Sequence, residues 1–340
     1  ILIWGSTRKE YAAMKLTLYL MAGSGLIIPG LLLLYSTSGL YTFDLIKLHG
    51  VHFAPWVQKL VFPLLLFGFG VLAAMWPFHT WSPVGHVAAP TAVSMLHAGV
   101  LMKLGAFAAL RVGVMLLPEG AKEHMWWVIL LALVNVVYGA FIASIQTDFK
   151  YVIGFSSVSH MGLVTMGFAT LSREGMLGAG VQMFSHGVMT ALFFAVVGMV
   201  YDQAHTRQIP ELSGFRKVMP LVTLAFIVGG LVSMGMPGFS GFIAEFPIFM
   251  GAWKTAPLVA IIAIIGIIIT AAYILLVVRR VFFGEMPAEL QGKVTDVTWR
   301  DKVVIGMLSL VMIALGWFPS LMVPLVESGV NTILALLGGA

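Results

Sequence analysis

Long apolar runs recur along the whole chain and are separated by short polar segments. Each run has about the 20 residues that a helix needs to cross the hydrocarbon core of a bilayer. The pattern therefore predicts nine membrane spans. They lie at about residues 11–37, 57–86, 90–116, 124–145, 150–170, 176–200, 217–252, 257–283 and 303–325.

These spans are expected to be helices. A segment inside lipid must satisfy its own backbone hydrogen bonds, which a helix does alone. The strands of a membrane barrel would alternate apolar and polar residues, and these runs do not alternate. The pattern predicts an all-α polytopic membrane protein.

Two predicted spans, 57–86 and 217–252, are longer than a crossing needs and are interrupted by proline and glycine. The first contains Pro77 and Pro83, and the second contains Pro237. Proline removes a backbone donor and clashes with the preceding turn, so each helix is expected to break. Broken helices at corresponding places are typical of transporters built from two inverted repeats. The alternative, that the prolines only kink packed helices, stays open.

Composition supports a lipid environment and excludes several functions. Of the 340 residues, 60% are hydrophobic and 10% charged, with a mean hydropathy of +1.00, whereas soluble domains are about 25% charged. The absence of cysteine excludes disulfides and all-cysteine iron–sulfur ligation. A net charge of +5 spread over the loops argues against nucleic-acid binding. The chain has no Gly-rich phosphate fingerprint after a strand. The opening "ILIWGSTRKE" has no initiating methionine, so we expect further helices upstream.

Lysine and arginine predict the orientation. Cytoplasmic loops carry the excess of these residues, and the two groups of loops carry twelve and six. The N-terminal side is therefore expected to be cytoplasmic and the C-terminus outside. The larger group is Arg8, Lys9, Lys15, Lys150, Arg207, Arg216, Lys217, Arg279, Arg280, Lys293, Arg300 and Lys302, and the smaller is Lys47, Lys59, Arg111, Lys122, Arg173 and Lys254.

Lys103 belongs to neither side, because it lies well inside the span 90–116. A charge at that depth costs about 2.5–3.5 kcal/mol on insertion scales. Lys103 is therefore expected to face a polar interior, where a poorly solvated lysine can bind and release protons near neutral pH. The alternative is a side chain that snorkels to the interface.

Glu245 lies eight residues after Pro237, in the second interrupted span. A carboxyl group beside a broken helix can meet water and freed backbone groups. This position predicts a proton site, and the alternative is a neutral glutamate that caps the broken helix.

His160 and His186 are further titratable groups in the middle of predicted spans. Histidine titrates near pH 6.5, which suits proton relay. Together with Lys103 and Glu245 they predict a lateral proton path joined by water. His97 is a weaker candidate, because six residues place it about 120° around the helix from Lys103. A single buried histidine could equally be structural, and the spacing of the histidines argues against a metal site.

Several motifs carry a family resemblance that covers essentially the whole chain. They are "PFHTW.P..H..AP" at residues 77–90, "LHAGVLMKLGAFAALR" at 96–111, "FSSVSHMG" at 155–162, "SHG" at 185–187, "HTR" at 205–207 and "MPGFSGFIAEF" at 236–246. They resemble the antiporter-like membrane subunits of proton-translocating NADH:quinone oxidoreductase, respiratory complex I, above all those of the M type.

The resemblance implies a helix bundle with inverted five-helix repeats, each with one broken helix, in a family fold of fourteen helices. Residues 1–116 would be the remainder of the first repeat and 124–283 the second, followed by a C-terminal helix at 303–325. The resemblance also implies proton translocation coupled to quinone reduction, with Lys103, His160, His186 and Glu245 as carriers.

The same resemblance implies the partners and the location. The L- and N-type subunits, the peripheral redox arm and lipid would surround this chain in a bacterial plasma membrane. NADH, FMN, iron–sulfur clusters and quinone would belong to partner subunits, with no cofactor in this chain.

Two positions depart from the family pattern. Leu72 stands where the family has a lysine in the first broken helix, and Val84 stands where it has an aspartate. These departures leave open a non-pumping structural subunit. An Mrp-type cation/proton antiporter subunit and a subunit of a membrane-bound hydrogenase also stay open.

Overall fold

The computed structural model describes residues 1–338, in which helices are joined by loops and turns and no strand is present. The expected all-α architecture is confirmed. The helices are α1 (Lys9–Thr37), α2 (Leu45–Leu48), α3 (Pro55–Leu72), α4 (Trp81–Ala88), α5 (Thr91–Val114), α6 (Pro118–Ser144), α7 (Phe149–Ala169), α8 (Arg173–Ala204), α9 (Pro220–Ser233), α10 (Ser240–Thr255), α11 (Pro257–Phe282), α12 (Trp299–Trp317) and α13 (Val323–Leu336).

Seven of these helices are long and apolar enough to cross a membrane by themselves, namely α1, α3, α5, α6, α7, α8 and α11. Their bounds agree with the predicted spans to within a few residues at most ends. Outside the interrupted span 57–86, the largest shift is at α6, which begins at Pro118, six residues before the predicted start. Proline suits the first turn of a helix, where its missing N–H would have no partner.

The first interrupted span is broken between α3 and α4, as expected. The break covers residues 73–77 and is followed by one 3₁₀ turn, Phe78–Thr80. Pro83 does not contribute to it, which corrects the prediction. It is the third residue of α4, where proline is tolerated because the first N–H groups of a helix make no intrahelical bond.

The second interrupted span is broken between α9 and α10, at residues 234–239. Gly235 and Gly238 adopt φ angles of 62° and 92° there, in the left-handed region that glycine tolerates best. The backbone turns back on itself, and Met236 N–H donates to Leu231 O at 3.0 Å. The break places the N-terminus of α10, with Glu245 in its second turn, inside the bundle.

The C-terminal part differs from the prediction of a single span at 303–325. Helix α12 ends at Trp317, and a separate helix, α13, follows a short 3₁₀ turn. Phe318 precedes Pro319 and has φ −124° and ψ 67°, because proline disfavours the helical conformation in the residue before it. At the other end of α12, Thr298 and Asp301 form a capping box.

Helix α7 lies at the centre of the bundle. Its membrane-length window is 94% buried, more than that of any other spanning helix described. It packs against α6, α8, α4 and α10. Close approach to α6 depends on Gly139, because a Cβ added there would lie 2.6 Å from Ser159 N. A side chain on α7 can therefore reach several other helices.

The lysine and arginine side chains that form ion pairs lie in loops or near helix ends, towards one of the two ends of the bundle. Arg207 Nε lies 3.4 Å from Asp148 Oδ2 at the N-terminal end, and Lys59 Nζ lies 2.8 Å from Glu123 Oε2 at the other. The ammonium of Lys302, in the first turn of α12, hydrogen-bonds Asp296 in the preceding loop and lowers the pKa of that carboxyl group.

Candidate functional site

The four residues predicted as proton carriers are buried and come together in the bundle. Lys103 lies on α5, His160 on α7, His186 on α8 and Glu245 on α10. Each is less than 9% exposed to solvent. Since the sequence separates them by up to 142 positions, the cluster is a product of the tertiary fold.

Lys103 contacts His186 directly. Its Nζ lies 2.6 Å from His186 Nδ1 and also donates to the carbonyl oxygen of Ala98, on its own helix. Ala98 belongs to a π-helical segment of α5, His97–Leu101. An ammonium can donate to a neutral imidazole nitrogen, and after transfer the imidazolium can donate back to the amine. The contact therefore provides two positions for one proton.

His186 and His160 stack on each other. Their ring centroids are 5.2 Å apart and the ring planes are inclined by 20°. No hydrogen bond joins the two rings, and His186 Nε2 has no partner among the described residues. A proton can pass between the rings only through a water molecule or after a ring rotation.

His160 is surrounded by acceptors. Its Nδ1 lies 2.8 Å from Ser156 O, and its Nε2 lies 3.2 Å from Ser233 O in the last turn of α9. A neutral ring can donate to one of these carbonyl groups, whereas a protonated ring can donate to both. A protonated His160 is therefore hydrogen-bonded to the last residue of α9, beside the second break, whichever nitrogen carries the proton in the neutral ring.

Glu245 completes the cluster. Its Oε1 lies 3.6 Å from His160 Nε2 and accepts a hydrogen bond of 3.2 Å from Gln182 Nε2. Its Oε2 has no partner among the described residues. This oxygen faces the break, because a Cβ added to Gly235 would lie 2.7 Å from it. Glu245 thus lies between the histidine and the opened backbone.

Sequence reasoning missed several polar groups beside the cluster. Gln182 lies one turn before His186 on α8, a spacing that places both on one face. Tyr273, on α11, donates to Ser156 Oγ at 2.8 Å, and nothing in its sequence context indicates this. Asn135, on α6, bonds to the first break.

His97 lies outside this arrangement. Its ring centroid is 6.0 Å from that of His86, a buried residue whose Nε2 contacts Ser82 Oγ at 3.0 Å. The predicted divergence of His97 and Lys103 agrees with this placement. His86 is a further buried titratable group that the sequence reasoning did not select.

The departures Leu72 and Val84 lie near the first break. Leu72 is the last residue of α3 and Val84 lies within α4, and both are partly buried. Within residues 1–338, no three histidine, aspartate or glutamate side chains come close enough to hold a metal ion.

The chain is similar to a known family of membrane subunits. The model of the NADH:quinone oxidoreductase/Mrp antiporter transmembrane family matches residues 1–270. NADH-quinone oxidoreductase subunit M of Rhodobacter capsulatus is 38% identical over 96% of this chain and 66% of its own length. NAD(P)H-quinone oxidoreductase chain 4 1 of Synechococcus elongatus is 36% identical over 94% of this chain and 61% of its own length.

Solved structures share the fold. A chain of respiratory complex I from Thermus thermophilus has a TM-score of 0.92 and 27% identity, covering 99% of this chain and 71% of that one. A chain of the Mrp complex from Dietzia has a TM-score of 0.86 at 21% identity, over 96% of this chain and 68% of that one. The chain thus spans about two thirds of the length of the proteins that it matches.

Proposed function

The chain belongs to the NADH:quinone oxidoreductase/Mrp antiporter family of membrane subunits, and we propose that it conducts protons as an M-type subunit of NADH:quinone oxidoreductase. The observation that carries this proposal is the contact of Lys103 with His186, at 2.6 Å inside the bundle. A buried lysine is costly in a membrane and marks a functional site by default. Here its neighbours can take its proton.

The proton moves along the cluster in three steps. Lys103 passes it to His186 across the direct contact, and His186 passes it to His160 through water or a ring rotation. His160 Nε2 lies 3.6 Å from Glu245 Oε1, so the last transfer, from His160 to Glu245, also uses a water molecule or a small side-chain movement. Glu245 then holds the proton at the opened backbone of the second break. Each group gains one proton and then loses one, so the cluster returns to its starting state.

The driving energy comes from partner subunits, which hold NADH, FMN, iron–sulfur clusters and quinone. This chain contributes the ionisable path and no redox centre. Moving one charge against 100 mV costs about 2.3 kcal/mol, which corresponds to a change of about two pKa units in a carrier. A modest change in the surroundings of Lys103 or Glu245 is therefore sufficient.

The orientation follows from the basic residues. The N-terminal end, with twelve lysine and arginine residues, faces the cytoplasm, and the C-terminus faces outward in the plasma membrane of a bacterium. Protons enter from the cytoplasm and leave on the Glu245 side. Other antiporter-like subunits of the L and N types pack beside this chain.

The other transport functions have less support. The Mrp complex of Dietzia and the archaeal membrane-bound sulfane sulfur reductase share 21% and 22% identity with this chain, which shows a common fold. The relatives that are 34–38% identical carry the names of NADH- or NAD(P)H-quinone oxidoreductase subunits. A purely structural subunit would have no need of four buried ionisable groups in a row.

The deciding experiment measures proton uptake in proteoliposomes that contain the whole complex, driven by electron transfer to quinone. It compares Glu245→Gln with wild type. The amide keeps the size of the side chain and cannot carry a proton as a carboxyl group does. Glu285→Gln, at an exposed loop position, is the matched control. We expect quinone reduction and proton uptake to fall together in the assembled Glu245→Gln complex only. Wild-type rates at the wild-type proton-to-electron ratio would refute the proposal.

A further inference from the structure

Asn135 is a buried amide that joins two structural elements. Its Oδ1 accepts the backbone N–H of Trp76 at 2.5 Å, and its Nδ2 donates to Ala74 O at 3.0 Å. Both partners lie in the break between α3 and α4. Nδ2 also donates to Val158 O, on α7, at 3.3 Å. One side chain therefore bonds to the first break and to the central helix.

The bonds at the break matter because the break frees backbone groups inside the membrane. An unpaired amide group is costly in an apolar environment, because no water replaces its lost hydrogen bond. Asparagine supplies both a donor and an acceptor, and Asn135 uses both on residues two positions apart. Leucine could satisfy neither group, and a carboxylate could satisfy only the N–H.

The helix that carries Asn135 is closely packed on α7. Ser159 Oγ donates to Val136 O at 2.7 Å, and a Cβ added to Gly162 would lie 2.6 Å from the Cβ of Asn135. The close backbone approach at Gly162, rather than the single bond of Ser159, prevents the two helices from sliding past each other. Displacement of the first break therefore acts on α7 through Asn135.

The bond to Val158 lies two residues from His160, whose ring reaches the second break at Ser233 O. Both breaks are thus hydrogen-bonded through the same short stretch of α7, one by way of Asn135 and the other through His160. No other side chain in the described residues bonds to the backbone of both Ala74 and Trp76.

We propose that Asn135 is a positioning residue that couples the first break to the proton relay by fixing the height and rotation of His160. This inference rests on the proposed function, since it assigns Asn135 to the same proton path. It predicts that loss of the amide disturbs His160 although Asn135 itself carries no proton.

The test uses the whole complex with Asn135→Leu, Asn135→Asp and the control Ser159→Ala. The control removes one bond between α6 and α7 without touching the break. We expect both Asn135 variants to lower quinone-driven proton uptake about fivefold or more, the equivalent of one to two lost hydrogen bonds, while Ser159→Ala stays within about twofold. We also expect the pH profile of turnover to change shape in both Asn135 variants, because loss of assembled complex alone lowers turnover equally at every pH.

Glu245→Gln, prepared and assayed in the same way, distinguishes failure of the coupling role from failure of the proton relay. If Glu245→Gln is inactive while both Asn135 variants keep the wild-type rate and pH profile, the coupling role is wrong and the relay stands. If Glu245→Gln is fully active, the relay itself is wrong. If neither Asn135 variant assembles, or if Ser159→Ala has the same effect as they do, Asn135 acts in folding only and the coupling role is overturned.

Discussion

Lys103 Nζ lies 2.6 Å from His186 Nδ1, although the two residues are 83 positions apart in the sequence. The pair is buried where the bundle is otherwise mostly apolar. Neither group has a carboxylate within ion-pair distance in the described part of the chain. The amine and the imidazole are therefore hydrogen-bonded to each other without a carboxylate partner, which is the arrangement that the proposed relay requires.

Substitution of Lys103 by methionine should stop proton transfer while preserving the packing. Methionine keeps the length and the apolar stem of lysine but has no proton to give. We expect proton uptake to fall by about a hundredfold or more, the lower end of the range for a group that acts in proton transfer. The measurement is quinone-driven proton uptake in proteoliposomes.

The control for this substitution is Lys122→Met. Lys122 is exposed and pairs with Glu119 at 3.0 Å, and surface pairs contribute about 1 kcal/mol or less. If Lys122→Met and Lys103→Met lower proton uptake equally, the effect of Lys103 is not specific to the relay.

Gln182 should hold Glu245 in place for proton transfer. Its Nε2 is the hydrogen-bond donor to Glu245 Oε1, so Gln182→Leu leaves a buried carboxyl oxygen unpaired, at about 1–3 kcal/mol. We expect a fall in proton uptake of about fivefold or more, with normal assembly on a native gel. Gln208→Leu, at an exposed position in the segment between α8 and α9, should leave uptake unchanged. If Gln182→Leu takes up protons at the wild-type rate, Glu245 does not need the hydrogen bond from Gln182 for proton transfer.

Tyr273 should influence proton transfer at His160 without a direct hydrogen bond to it. Its hydroxyl donates to Ser156 Oγ at 2.8 Å, and that oxygen lies 3.5 Å from His160 Nδ1. Tyr273→Phe removes one neutral hydrogen bond, which contributes about 0.5–1.5 kcal/mol. We expect proton uptake to fall by about two- to tenfold, with a displaced pH optimum. An equal loss in the exposed Tyr41→Phe would contradict this assignment.

The helices could be predicted well from the sequence because the membrane imposes one rule on all of them. Every span must be helical and of bilayer length. The predictions failed where proline position decides the outcome. Pro83 lies in the first turn of α4 and does not break it; the break ends at Pro77, six residues earlier. Pro319 lies inside the last predicted span, and α12 ends just before it, at Trp317.

The site could be predicted only as a set of residues. A buried lysine or glutamate is conspicuous in an apolar run, so Lys103 and Glu245 are visible in the sequence. Their order in space is not visible, because it depends on which helices pack together. Gln182 and Asn135 were missed because uncharged amides in a membrane helix carry no comparable signal until their partners are known.

The second break should tolerate no added methyl group at Gly241. This glycine lies in the first turn of α10, where a Cβ would overlap the carbonyl oxygen of Val232 on α9. The backbone fixes the positions of both the added Cβ and the carbonyl oxygen, so neither atom can turn away. Overpacking of this kind costs about 1–3 kcal/mol. Gly241→Ala should therefore reduce the assembled complex or lower its thermal stability.

Gly306→Ala is the matched control for Gly241→Ala, because its added Cβ would meet no atom within 4 Å on α12. Alanine in an exposed helix is favoured over glycine by about 0.5–1 kcal/mol, so this variant should be as stable as wild type or slightly more stable. The measurement is the midpoint of thermal inactivation of the purified complex. A Gly241→Ala complex that assembles with an unchanged midpoint would show that the two halves of the broken helix can separate freely. In that case the break could not hold Glu245 at a fixed distance from His160.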